Sequence, residues 1–127
     1  CMDEPWRAQA HHLIRHQAEH LCRALGGEAE VDIPLGYPSL LNDEATTRRA
    51  RDLASGLWGA DKVVHLPLRM AAEDFSFYTH HVPGCFFRLG TAKDNAYTHP
   101  VHHAQFDIYQ PAIGIGVRTL YELAVGF

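Results

Sequence analysis

"KVVHLPLRMAAEDFSFYTHHVPGCFFRLG", residues 62–90, decides the fold class. Its two ends, 62–68 and 84–90, are short apolar runs rich in β-branched or aromatic residues and bounded by glycine and proline, the make-up of buried strands. Between them Glu73 and Asp74 precede an aromatic segment, as acids do at the positive end of a short helix. Strand, helix and strand in that order predict an α/β fold.

The pattern extends on both sides. Upstream, Asn42 is a capping residue, Asp43 and Glu44 suit a first turn, and Ala50, Leu53, Ala54 and Leu57 repeat at helical spacing up to Gly59. Before that helix, "GYPSLLND" (36–43) is a turn-rich connection that divides the chain into 1–36 and 37–127. In "EAEVDIPL" (28–35), Ala29, Val31, Ile33 and Leu35 point one way while Glu28, Glu30 and Asp32 point the other, which predicts a half-buried strand. Pro34 places it at an edge or near the strand's end.

The chain opens with a predicted helix over about 4–25. Asp3 caps it, Pro5 suits its first turn, and Gly26-Gly27 supplies a left-handed stop. Trp6, Ala10, Leu13, Ile14, Leu21 and Leu25 form its apolar stripe, and His12, His16 and His20 line the opposite face. Histidines at i and i+4 can chelate zinc or nickel, but no acidic or thiol partner accompanies these at ligand spacing, so the row reads as a solvated face. At the other end, 111–124 is predicted helical with Ile113, Val117, Leu120, Tyr121 and Ala124 inward. Gly114 and Gly116 cost that helix propensity and permit close packing against a sheet.

Composition narrows the function classes. With 127 residues, 46% hydrophobic and 20% charged, the chain is long enough for about one globular domain. No apolar run approaches the ~20 residues that cross a bilayer, and "CMDEPWR" has no basic leader, so no membrane and a cytoplasmic setting are expected. Cys1, Cys22 and Cys85 are odd in number and widely spaced, which argues for reduced thiols rather than a disulfide framework or a thiolate zinc site. A net charge of −4, with only "TTRRAR" (46–51) locally basic, gives no footprint for a phosphate backbone, so no nucleic-acid partner is expected.

One stretch carries candidate metal chemistry: "AYTHPVHHAQFDIYQP", residues 96–111. Pro100 biases His99 toward extended backbone, and 101–106 reads as a loop or short strand in which alternation would send His102 and His103 to opposite sides. A catalytic zinc takes three protein ligands and a water, a set this loop cannot supply by itself. From the residues alone, these histidines are either ligands or polar loop residues.

Taken together, "MAAEDFSFYTHHVPGCFFRLGT" and "VHHAQFDIYQPAIGIGVRTLYELA" resemble the C-terminal end of the zinc-dependent aminoacylase-like metallopeptidases. The likeness is to the amidohydrolase branch of hippurate hydrolases, N-acyl-amino-acid deacylases and auxin-conjugate hydrolases. Glu73, Asp74 and Phe75 match that family's Glu-Asp-Phe segment. Pro83, Gly84, Phe86 and Gly90 match its Pro-Gly-x-Phe-x-x-x-Gly strand, and His102, Phe106 and Asp107 match its Leu-His-Ser-Pro-x-Phe-Asp loop. Upstream, "MDEPWR" with its helix resembles the second half of the inserted lid, or dimerisation, domain, and "YPSLLND" the return into the catalytic domain.

The resemblance implies a zinc-exopeptidase-like catalytic α/β domain, of which 37–127 is the C-terminal part, preceded by half of an α+β lid in 1–36. It implies two divalent ions, zinc or manganese, in the parent active site, and an N-acyl amino acid or peptide as substrate. It implies a homo-oligomer. His102 takes the position of the one C-terminal metal ligand, while His103 stands where a serine is usual, Ala104 where a proline is, and Tyr109 and Gln110 where acids are usual. The other ligands and the catalytic glutamate belong to a missing N-terminal part, so no catalytic residue is assigned here and the chain alone is expected to be inactive. Glu73 and Asp74 are then either support and cleft wall near the metals or first-turn acids of a short helix. The competing reading is a small non-catalytic α/β module for interaction or metal sequestration using the ten histidines. A dimer formed through the Trp6 and Leu13 face of the first helix is a third.

Overall fold

The computed structural model describes residues 2–126; Cys1, one of the three thiols, lies outside them. They form two compact units: one runs through Asn42 and takes in Pro67–Gly84, and the other comprises Asp43–Leu66 and the described residues from Cys85 on.

The first unit is built on α1 (Glu4–Ala24). The Asp3 carboxylate accepts from the Trp6 amide at 2.8 Å, satisfying one of the donors that a helix start leaves open. At the other end Gly26 takes a φ of 82°, its N–H donates to the Arg23 carbonyl, and the Gly27 N–H donates to the Cys22 carbonyl at 2.9 Å. That pair of bonds is a Schellman stop, which needs a left-handed residue and so a glycine. After the stop, Ala29, Val31 and Ile33 are half-buried and Glu30 and Asp32 exposed. The Arg15 Nε donates to the Val31 carbonyl at 3.4 Å.

The chain is then tied back to the start of α1. Arg7 donates to the Tyr37 carbonyl at 2.7 Å and pairs with Glu4 at 2.5 Å. The second Glu4 oxygen accepts from the Ser39 amide at 2.7 Å, and His80 Nε2 donates to the Ser39 carbonyl at 2.9 Å. The amide of Ser39 foremost, helped by the Ser39 side chain, Arg7 and His80, lowers the Glu4 pKa against a smaller opposing effect of burial. The unit's second helix is the single turn α3 (Ser76–Thr79).

The second unit packs α2 (Glu44–Trp58) on α4 (Pro111–Gly126). Asp43, not Asn42, caps α2: its carboxylate accepts from the Thr46 amide at 2.8 Å, and this bond lowers its pKa. Gly59 ends α2 with a φ of 98°, and a 3₁₀ turn over Ala60–Lys62 follows. The contact between the two helices uses small residues. Ala50 and Ala112 are buried, Arg49 donates to the Gly126 carbonyl at 2.6 Å, and a Cβ on Gly126 would lie 3.2 Å from Leu53 Cδ1.

Two expectations need correction. The inner face of α4 is Ala112, Gly116 and Thr119, whereas Ile113, Val117, Leu120 and Tyr121 are exposed, Val117 by 64%. The helix is apolar on most sides, the pattern of a helix enclosed in a larger protein, so hydrophobicity alone does not say which face meets α2. The apolar stripe of α1 is likewise uncovered, with Trp6 51% and Leu25 81% exposed.

The predicted strands at 28–35, 62–68 and 84–90 also do not form a sheet; the chain is helical, and among the described residues the β pairing is one isolated bridge, Lys93 with Ala96. A helix satisfies its backbone within one segment, but a strand requires a neighbour. Exposure fits that account. Within the described residues, Val64, Leu66, Leu68, Phe87 and Leu89 of the predicted strands are exposed.

Candidate functional site

The histidine loop belongs to the second unit, between the bridge at Lys93 and the start of α4. The Tyr109 N–H donates to the Thr91 carbonyl at 2.9 Å, tying the two ends of the loop together. The Lys93 ammonium lies 4.7 Å from the centre of the Tyr109 ring and 3.3 Å from its hydroxyl, and the Tyr97 ring is 6.2 Å from that of Tyr109. Nothing in the sequence marks Lys93, because the aromatic face it covers comes 16 residues later.

Within this frame the segment turns twice. The His103 N–H donates to the Pro100 carbonyl at 3.1 Å, closing a four-residue turn, and the Phe106 N–H donates to the His103 carbonyl at 2.9 Å. His102 is the third residue of the first turn and has a φ of 72°. A type II turn demands a φ near +80° there and normally fills the position with glycine or asparagine. The expected alternation of His102 and His103 across a strand is therefore replaced by a turn, initiated where Pro100 cannot donate a backbone hydrogen bond.

The three histidines have different circumstances. His99 and His103 stack with centroids 4.4 Å apart and planes 4° from parallel. His103 Nδ1 also accepts from the Gln105 amide at 3.1 Å, leaving the proton on Nε2 in the neutral ring. The exposed His102 ring has neither a hydrogen bond nor an ion pair among the described residues. Asp107, from the same matched motif, accepts from the Ile108 amide at 2.8 Å through its side chain.

Glu73 and Asp74 lie in the first unit. The Glu73 carboxylate accepts from the Phe75 amide at 3.2 Å, and its carbonyl accepts from the Ser76 hydroxyl at 2.5 Å. Ser76 is completely buried, so Glu73 anchors the entry to α3 from both its side chain and its backbone. Asp74 is exposed.

Among the described residues no three His, Cys, Asp or Glu side chains gather where they could hold a metal ion. The chemistry of His102 nonetheless fits a single donor position: an imidazole whose ring nitrogens have no hydrogen bond among the described residues is a ligand type that suits zinc.

The family model for peptidase family M20/M25/M40 matches residues 3–125. This chain belongs to that family. The resemblance to aminoacylase-like metallopeptidases carried by the Glu-Asp-Phe, Pro-Gly-Cys-Phe and His-His-Ala-Gln-Phe-Asp motifs thus holds at family level. A probable hydrolase of Synechocystis sp. is 35% identical over 115 residues, covering 89% of this chain and 29% of the relative. The N-acetyl-L-cysteine deacetylase of Bacillus subtilis is 37% identical over 106 residues, 84% of this chain and 24% of that protein. An IAA-amino acid hydrolase of Arabidopsis thaliana is 28% identical over 84 residues, 65% of this chain and 18% of that protein. The chain thus spans less than a third of the length of these curated relatives. No solved structure matches it significantly. No helix among the described residues is long and apolar enough to cross a membrane.

Proposed function

We propose that these residues are part of a longer metal-dependent amidohydrolase of the M20/M25/M40 family that cleaves the amide bond of N-acyl amino acids or related peptides. Within it, 37–127 completes the catalytic α/β domain and 1–36 forms half of the lid. The names of the relatives support the reaction class, and the uncovered apolar faces of α1 and α4 support the need for further polypeptide. Dimerisation through the lid and a cytoplasmic location belong to the same reading; the free, half-buried thiol of Cys22 accords with a reducing compartment.

The observation that carries the reading is the backbone of His102. A histidine held at a φ of 72° costs about 1–3 kcal/mol relative to a relaxed conformation, as do Asp94 at 52° and Tyr97 at 58° just upstream, and strain of this kind collects at functional positions. Glycine would satisfy the turn at less cost. The imidazole is what the position gains, and we assign it as a ligand of one of two catalytic zinc or manganese ions. When bound, such ions polarise the amide carbonyl and lower the pKa of water toward ~7. His102 contributes a neutral nitrogen to that centre. Glu73 and Asp74 line the substrate cleft, with Glu73 fixed by the Phe75 amide.

The test is metal content and turnover of the full-length enzyme with His102→Ala. Loss of one metal equivalent together with a fall of about 100-fold or more in kcat for an N-acetyl amino acid is expected. Two retained equivalents with unchanged turnover would remove His102 from the site. The 127 residues alone are expected to hydrolyse nothing.

A further inference from the structure

The proposed reaction makes no use of the histidine row on α1. His12, His16 and His20 are all exposed on one side of that helix. Residues four apart on a helix are surface neighbours, and here the rings lie closer than the spacing requires. The His16 and His20 ring centroids are 3.9 Å apart with planes 27° from parallel, while His12 stands off from His16 at 6.2 Å.

A second contact orients the pair. His20 Nδ1 lies 2.8 Å from the His16 carbonyl, which can only accept, so Nδ1 carries the proton and donates. The lone pair of the neutral His20 ring is then on Nε2, and the backbone bond fixes which nitrogen is offered, as hydrogen bonds to metal-ligating imidazoles do. No carboxylate forms an ion pair with either ring among the described residues.

Two neutral imidazoles one turn apart are the same two-point grip that the His-Glu-x-x-His motif uses on zinc. Nitrogens sharing one ion at bonds of 2.0–2.1 Å stand roughly 3 Å apart, a separation comparable with the 3.9 Å between the two ring centroids. We infer that His16 and His20 form an accessory site for one divalent transition-metal ion, with water in the remaining positions and no part for His102. By the usual ordering of these ions, copper(II) binds more tightly than nickel(II) or zinc.

The test uses untagged full-length protein with its own metals in place, titrated with copper(II) and followed by calorimetry and electron paramagnetic resonance. One additional equivalent per chain with a two-imidazole nitrogen signature is expected. His16→Gln or His20→Gln should weaken it by at least the 10- to 100-fold that follows loss of a ligand's supporting partner. His12→Gln should weaken it by less, and His102→Gln should leave it in place. As a check that requires no variant, copper(II) should shield His16 and His20 of the native protein from diethylpyrocarbonate. No additional equivalent, one that both the His16 and His20 variants retain, one lost with His102, or undiminished acylation of the pair would overturn the assignment.

Discussion

The indole N–H of Trp58 donates to the hydroxyl of Thr119 at 2.9 Å, and that hydroxyl donates in turn to the Ile115 carbonyl at 2.8 Å. Thr119 is only 6% exposed, so this chain of two bonds sits in the contact between α2 and α4. Thr119→Val keeps the shape and leaves the indole without its acceptor, at an expected cost of about 1 kcal/mol because Trp58 is only half-buried. Thr119→Ser retains both bonds and should lose less. Urea titration of the three proteins checks the order.

His102 separates folding from function. Replacing it with glycine removes the penalty of its positive φ but returns part of the gain as unfolded-chain entropy, so the metal-free stability of His102→Gly should be unchanged or higher by about 1 kcal/mol. Metal content should fall as it does in His102→Ala. A clear drop in the apo-protein melting temperature would show instead that the imidazole serves the fold.

Glu4 makes acid stability a test of how 35–39 is held. Its folded pKa is lowered from 4.5, so its contribution is present above that value and is lost as the pH falls through the lowered one. Glu4→Gln should be less stable than the native protein at neutral pH, and the difference should shrink as the pH falls below about 4.5. Parallel stability curves across pH 3–6 would contradict the assignment.

Gly114 tests whether the outer side of α4 is covered in the longer protein. A Cβ there meets nothing within 4 Å, so Gly114→Ala should raise the helix content of the 127-residue chain, alanine being favoured by about 1 kcal/mol. In the full-length enzyme the same change should lower the melting temperature, because a surface packed close to the glycine has no room for a methyl group. A rise in both would mean that this side of α4 is free.

Glu73 is open to a similar separation. Glu73→Gln retains an oxygen for the Phe75 amide and should keep stability within about 0.5 kcal/mol, whereas Glu73→Ala loses the acceptor and about 1 kcal/mol. If Glu73 lines the cleft, the glutamine variant should show an altered KM at an unchanged melting temperature; unaltered kinetics would confine it to the start of α3.

The helices were legible in the sequence because their signals are local. Asp3, Pro5 and the Gly26-Gly27 pair mark α1 to within a residue, Gly59 marks the end of α2, and Pro111 the start of α4. Two capping residues in succession, Asn42 and Asp43, hid which of them caps α2, since either side chain can accept from a first-turn amide. The strands were legible only as composition, because pairing depends on residues remote in the chain. The side of α4 that meets α2 does not follow from its large apolar residues, because small ones allow the close approach. His102 stood out through its motif, but its strained backbone could not be read from the residues around it.

Residues 29–33 already have their odd positions turned inward and their even ones toward water, with the Val31 carbonyl held by Arg15. A shift by one place would exchange Val31 with Asp32 and bury an acid, so the segment admits only one phase of alignment. Any polypeptide that comes to lie alongside it meets a template whose choice was made by α1, before that neighbour arrives.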